Sequence, residues 1–160
     1  MVIKLLEDAL TDGDPIRAVI RGSAVNSDGK TPGITMTSRK AQEKLAQKAY
    51  AAAGLDPIDT GYVEAHGTGT KAGDPIEAHA IAEIFARSRS ATTPLYLSSV
   101  KTNIGHLESA SGIAGFIKSV LVLERGLIPP HLNFRESHQE IALDKWNIKV
   151  CYNRTSILET

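Results

Sequence analysis

At 160 residues the chain is the size of about one domain and long enough to bury a substantial core. Its 18 Lys plus Arg balance 18 Asp plus Glu without a run of either sign, which excludes a basic nucleic-acid arm and a polybasic membrane patch. The single cysteine, Cys151, excludes an intrachain disulfide and a cysteine-rich zinc site, and fits a reducing compartment with the cytosol as default.

The first eight residues hold an apolar stretch too short and too soon acidic for a secretory signal, and read as the end of a strand. Residues 16–25 alternate β-branched positions and end in Asn26-Ser27-Asp28-Gly29, the pattern of a strand closed by a turn, with a loop through Thr31-Pro32-Gly33 after it. Ser38 is placed to cap a helix whose Ala41, Leu45, Ala46, Ala49, Ala52 and Ala53 share one face, and Gly54 and Pro57 stop it. Residues 60–65 form a short strand candidate that runs into His66-Gly67-Thr68-Gly69-Thr70, too glycine-rich to continue as regular structure. Asp74-Pro75-Ile76-Glu77 then predicts a helix start with cap, N1 proline and acidic N3 position, and Ala80, Ile81, Ile84 and Phe85 line its inner face.

Residues 95–100 predict the next strand, which enters a polar turn, Lys101-Thr102-Asn103-Ile104-Gly105-His106. The helix predicted after it, over 107–125, is small-residue-rich in its first half and aliphatic in its second. Such a helix belongs inside a layered structure, and its apolar core, 113–123, is far shorter than the roughly 20 residues a membrane span needs. Gly126 ends it, Pro129-Pro130 turns the chain, and 147–151 predict a last strand before a polar tail, 152–160, with no closing element. Strands alternating with helices imply a mostly parallel α/β sheet covered on both faces. Both ends read as cut, with a main unit over 1–150 and a divergent tail over 151–160.

His66 and His106 each fall just past the C-terminal end of a predicted strand, the edge where open parallel sheets place ligand crevices. Neutral imidazole N–H groups there suit a carbonyl oxygen that gains negative charge, and Gly67, Gly69 and Gly105 allow close approach of a ligand to the backbone. Lys101 and Glu108 flank the second turn and are placed to form an ion pair that orients His106, and Asn103 to fix the turn through backbone bonds. Two other chemistries use the same residues. A metal would draw on His66, Asp74, Glu77, His79 and His106, but without a recurrent ligand spacing and with two carboxylates already explained as caps. A phosphate would sit on Gly67-Thr68-Gly69-Thr70, which lacks the Gly-Lys-Ser/Thr ending of a P-loop. Cys151, with no His or Asp nearby in sequence, reads as a bystander.

The segments Val63-Glu64-Ala65-His66-Gly67-Thr68-Gly69-Thr70, Gly73-Asp74-Pro75-Ile76-Glu77 and Ser99-Val100-Lys101-Thr102-Asn103-Ile104-Gly105-His106-Leu107-Glu108 closely resemble the two histidine motifs of β-ketoacyl synthases. The likeness runs in order from residue 16 to about 150, through Val25-Asn26-Ser27-Asp28-Gly29-Lys30-Thr31-Pro32-Gly33-Ile34-Thr35 and His131-Leu132-Asn133-Phe134. With Ser109-Ala110-Ser111-Gly112-Ile113-Ala114-Gly115, the wording is most similar to ketosynthase domains of fungal iterative reducing polyketide synthases. The resemblance implies the C-terminal half of a thiolase-like fold, layered αβαβα when complete, and a homodimer in that state. It implies acyl transfer to a cysteine and decarboxylative condensation with a malonyl unit carried on the phosphopantetheine of acyl carrier protein, with no tightly bound cofactor and no metal. His66 and His106 would match the catalytic pair at the malonyl thioester, with Lys101, Glu108, Asn103, Thr68 and Thr70 in support. No Thr-Ala-Cys-Ser-like nucleophile segment occurs here, the glycine-rich C-terminal strand and loop of the family is absent after Cys151, and the nucleophile is expected from an N-terminal half. The alternatives are a non-catalytic module that docks on that half or on the carrier protein, and a stand-alone metal- or phosphate-dependent enzyme.

Overall fold

The computed structural model of the chain describes residues 1–31, 33 and 37–156. Three short parallel strands, β1 (Tyr62–Glu64), β2 (Leu95–Ser98) and β4 (Ile148–Val150), form a sheet in the order β1-β2-β4, with Tyr62 opposite Tyr96 and Leu95 opposite Ile148. Period-two alternation divides the side chains between two layers. Val63, Leu95, Leu97 and Ile148 face the core built by Ile81, Ala82 and Phe85 of α3 (Gly73–Phe85), with Ala46 and Tyr50 of α2 (Arg39–Ala53) behind it. Tyr62 and Tyr96 face the other way, onto Val122 of α5 (Ser111–Arg125), Ile128 and Cys151. The sheet is thus covered on both faces, as expected for an α/β parallel sheet.

Local signals explain α2 and α5. Ser38 accepts the Ala41 N–H at the start of α2, and left-handed Gly54 ends it while the Leu55 N–H folds back onto the Tyr50 carbonyl. Left-handed Gly126 also ends α5.

Four expectations are corrected. The chain does not open on a strand end but on α1 (Leu6–Thr11), where Glu7 and Asp8 complement the dipole of the first turn. Residues 16–25 form no strand: they carry no regular secondary structure and pass beside α2, with Gly22 so close that a Cβ there would lie 2.5 Å from the Ala49 carbonyl oxygen, and the Asn26 amide donates to the Ala41 carbonyl. The alternation is present, but among the described residues no strand pairs with it. The long helix begins at Ser111 rather than 107, because Glu108–Ala110 is a 3-10 turn that opens on a left-handed Glu108. The tail is not without structure: β5 (Thr155–Ser156) pairs antiparallel with β3 (Leu127–Ile128). Pro32, Ile34 and Thr35 of the third motif, and tail residues 157–160, lie outside the described residues. Among the described residues no helix is long and apolar enough to cross a membrane.

Candidate functional site

The first loop leaves the sheet after the Ala65 N–H has bonded the Ser98 carbonyl, 2.8 Å away. Gly67 follows with φ +51°, and a Cβ there would lie 2.8 Å from the Ser99 Cβ, so both conformation and contact require glycine. The loop is clamped from α3. Glu77 Oε1 accepts the His66 N–H at 2.6 Å and Oε2 the Gly67 N–H at 2.9 Å, while both Asp74 oxygens lie 3.1 Å from the Gly69 nitrogen. This corrects the capping role expected for these carboxylates. The helix begins two residues earlier than expected, at Gly73 rather than Pro75, with Ala72 as an N-cap that makes no side-chain bond, so Asp74 and Glu77 are free to reach back across the loop. Thr70 Oγ1 accepts the Gly73 N–H at 3.1 Å and faces Thr68 Oγ1 at 3.3 Å, which places both threonines inside the loop's own bonding.

The second loop starts with Ser99, whose hydroxyl donates to the His66 carbonyl at 3.2 Å and ties the two loops together. The expected polar turn is one turn of helix, α4 (Lys101–Ile104), stopped by Gly105 at φ +78°. The Asn103 amide donates to the Pro130 carbonyl at 3.2 Å and fastens this turn to the chain beyond β3. Lys101 and Glu108 do not pair as expected. Lys101 Nζ lies 3.3 Å from His66 Nδ1, and the Glu108 side chain is 89% exposed. Glu108 acts through its backbone instead: its left-handed conformation, φ +48°, aims its N–H at His106 Nδ1, 3.0 Å away.

The two imidazoles meet edge to face, with ring centroids 5.7 Å apart and planes at 79°, and both residues are exposed in this chain. Their bonding assigns the tautomers. An ammonium has only donors, so His66 Nδ1 accepts from Lys101; His106 Nδ1 accepts from the Glu108 N–H, with the Ser111 hydroxyl 3.3 Å away. The Glu108 carboxylate, 3.8 Å from that nitrogen, would favour the opposite assignment, but it is beyond hydrogen-bond reach and solvated, so the 3.0 Å bond decides. With Nδ1 of each ring beside a donor, the arrangement is the one in which a ring would present Nε2–H to a ligand.

The residues weighed for a metal do not converge as a set: Asp74 and Glu77 are committed to backbone N–H groups, and His79 meets Trp146 edge to face, with ring centroids 4.6 Å apart. Among the described residues, no three of the metal-binding side-chain types cluster. Cys151 is buried, and burial pushes its thiol up. Three residues near the site were not singled out from sequence: Glu64, Lys118 and His131. The signal for Lys118 was a charge inside an apolar helix run. A cleft of about 480 Å³ behind the loops is lined by Gly67, Lys101, Phe134 and His131, whose Nδ1 is buried without a partner among the described residues.

A parallel sheet covered on both faces makes this an α/β protein, and its likeness to solved ketosynthase domains makes it thiolase-like. The chain belongs to the beta-ketoacyl synthase family, whose C-terminal domain model matches residues 17–135. It is 57% identical over 150 residues to a highly reducing polyketide synthase of Penicillium oxalicum, and 54% identical over 158 residues to a reducing polyketide synthase of Cochliobolus heterostrophus. Those alignments cover 94% and 96% of this chain, which spans 6% of the length of either synthase. Among solved structures, the ketosynthase of module 6 of the Bacillus subtilis bacillaene synthase superposes with TM-score 0.89 at 38% identity, over 96% of this chain and 28% of that one. The Streptomyces albus oxazolomycin ketosynthase domain gives 0.86 at 35%, over 94% and 26%.

Proposed function

We propose that this chain supplies the two-histidine half of a ketosynthase site that binds a malonyl thioester delivered on the phosphopantetheine of acyl carrier protein, and that the acyl-bearing cysteine comes from an N-terminal half that also completes the fold. The observation that carries the reading is the pair of imidazoles 5.7 Å apart, each with its Nδ1 within reach of a hydrogen-bond donor. Two neutral donors converging on a thioester oxygen stabilise it as it becomes an enolate oxygen and donate no full positive charge. When the malonyl C–C bond breaks, its electron pair moves into the enolate and carbon dioxide leaves. The enolate carbon then attacks the acyl thioester carbon, and the cysteine thiolate departs. Lys101 holds the His66 tautomer, Glu108 and Ser111 that of His106, Asn103 the second turn, and Thr68 and Thr70 the first.

Cys151 does not fit the nucleophile's role, because a buried thiol whose pKa is raised by desolvation forms little thiolate. In a complete ketosynthase carrying this segment, His66→Ala or His106→Ala should slow malonyl decarboxylation about 10² to 10³-fold and leave acylation of the upstream cysteine intact. Decarboxylation at the parent rate in both variants would overturn the reading, as would an acyl adduct on Cys151, seen by mass spectrometry, that elongates with malonyl thioester.

A further inference from the structure

Below the histidine loops an ion pair is shut away from water. Lys118 Nζ lies 2.8 Å from Glu64 Oε2 and 2.8 Å from the Ser98 hydroxyl, and both charged side chains are only 8% exposed. Glu64 Oε1 accepts the Val100 N–H, and the Tyr62 hydroxyl donates to Oε2. Burial first, and then the facing Glu64 carboxylate, push the Tyr62 phenol far up, so it stays a donor. Helix α5 can approach because Gly115 faces the pair, where a Cβ would lie 3.3 Å from Glu64 Cγ.

The pair therefore joins three elements that each lead into the site. Glu64 ends β1, two residues before His66; Val100 immediately precedes Lys101 and the turn to His106; α5 carries Lys118 and begins just past His106. Buried ion pairs are poor stabilisers, because desolvation offsets the attraction and an apolar pair of similar volume serves as well. What an apolar pair does not supply is an acceptor for the Val100 N–H. Resting on the reading of His66 and His106 as the thioester site, we propose that Glu64 is a positioning residue: its carboxylate, oriented by Lys118, holds Val100 and thereby sets the separation of the two histidine loops.

Two double variants in a complete ketosynthase carrying this segment test this, since both remove the buried charges and only one removes the acceptor. Glu64→Gln with Lys118→Met keeps an amide oxygen for Val100; Glu64→Leu with Lys118→Met does not. The Leu variant should lose decarboxylation kcat by about 100-fold, the size of effect a misplacement of about 1 Å has. The Gln variant should stay within a few-fold of the parent, with cysteine acylation unchanged in both and the Leu variant melting somewhat lower, since its Val100 N–H is left without an acceptor. Full decarboxylation in the Leu variant, or equal loss in both, overturns the proposal. Should the Leu variant not fold, amide exchange in the unaltered protein decides: the Val100 N–H should be strongly protected, and exchange at the rate of exposed loop amides overturns the tether. His66→Ala serves as the control. If it decarboxylates normally, the thioester-site reading fails and not the positioning role.

Discussion

His131 is a residue whose cost is visible in its surroundings. Its Nδ1 is buried without a partner among the described residues, and burial, with Lys118 next, pushes its pKa below the ordinary 6.5. The folded protein therefore holds the ring neutral where the unfolded chain has begun to take a proton. Below about pH 6.5 the unfolded state binds more protons, so the stability present above that value is lost as pH falls. In a complete ketosynthase carrying this segment, the thermal midpoint should drop between pH 7 and pH 5, and His131→Phe should flatten that part of the profile; an unchanged slope would sink the assignment. At this scale the meeting of His66 and His106 was legible in the sequence, because each lies beside a glycine in the loop that follows a predicted strand. The sequence concealed Glu64, Lys118 and the reach of Glu77, because their partners lie on other elements and no local spacing encodes them.

Elements were legible where their signals are local. Ser38 and Gly54 bracket α2 in the sequence as they do in the structure, and the Ser38 hydroxyl accepts the Ala41 N–H at 3.2 Å. Ser38→Ala should cost about 1 kcal/mol, read as a lowered denaturation midpoint and faster exchange in the first turn of α2; no change in either would show the cap to be idle. Residues 16–25 failed as a strand for the converse reason. Their alternation is a local signal, but a strand also needs a neighbour, and Gly22 is pressed onto α2 instead. β5 was missed because two residues in a polar tail carry no period, and it exists only through its pairing with β3. Glu108 hid the true start of α5, since a left-handed glutamate has no sequence signature comparable to that of glycine.

Across the whole molecule, α5 has its polarity reversed. Lys118 and Val122 are buried, while Ile113, Ile117 and Leu121, spaced four apart on one face, are each more than 40% exposed. A groove of about 680 Å³ continues that apolar face past Ile104 and Leu127. This is the helix that the sequence pattern assigned to the inside of a layered structure. An apolar patch of more than a few hundred Å² promotes association. The chain on its own should sediment as oligomers or aggregates and bind a hydrophobic dye, and Leu121→Lys should reduce both. A dispersed, cooperatively melting monomer would count against this account.

The parallel order β1-β2-β4 also governs how the chain acquires its shape. Each rung of that sheet joins residues tens of positions apart, as Tyr62 with Tyr96 and Leu95 with Ile148. Among the described residues no hairpin precedes them, so the entropy of closing long loops is spent before any rung forms. Leu95, fully shielded in the finished sheet, keeps one flank open until Ile148 has been synthesised and docks. The second flank of β2 can therefore be covered only once the chain through Ile148 is available, whereas the β1–β2 rungs that lead into the histidine loops do not depend on it.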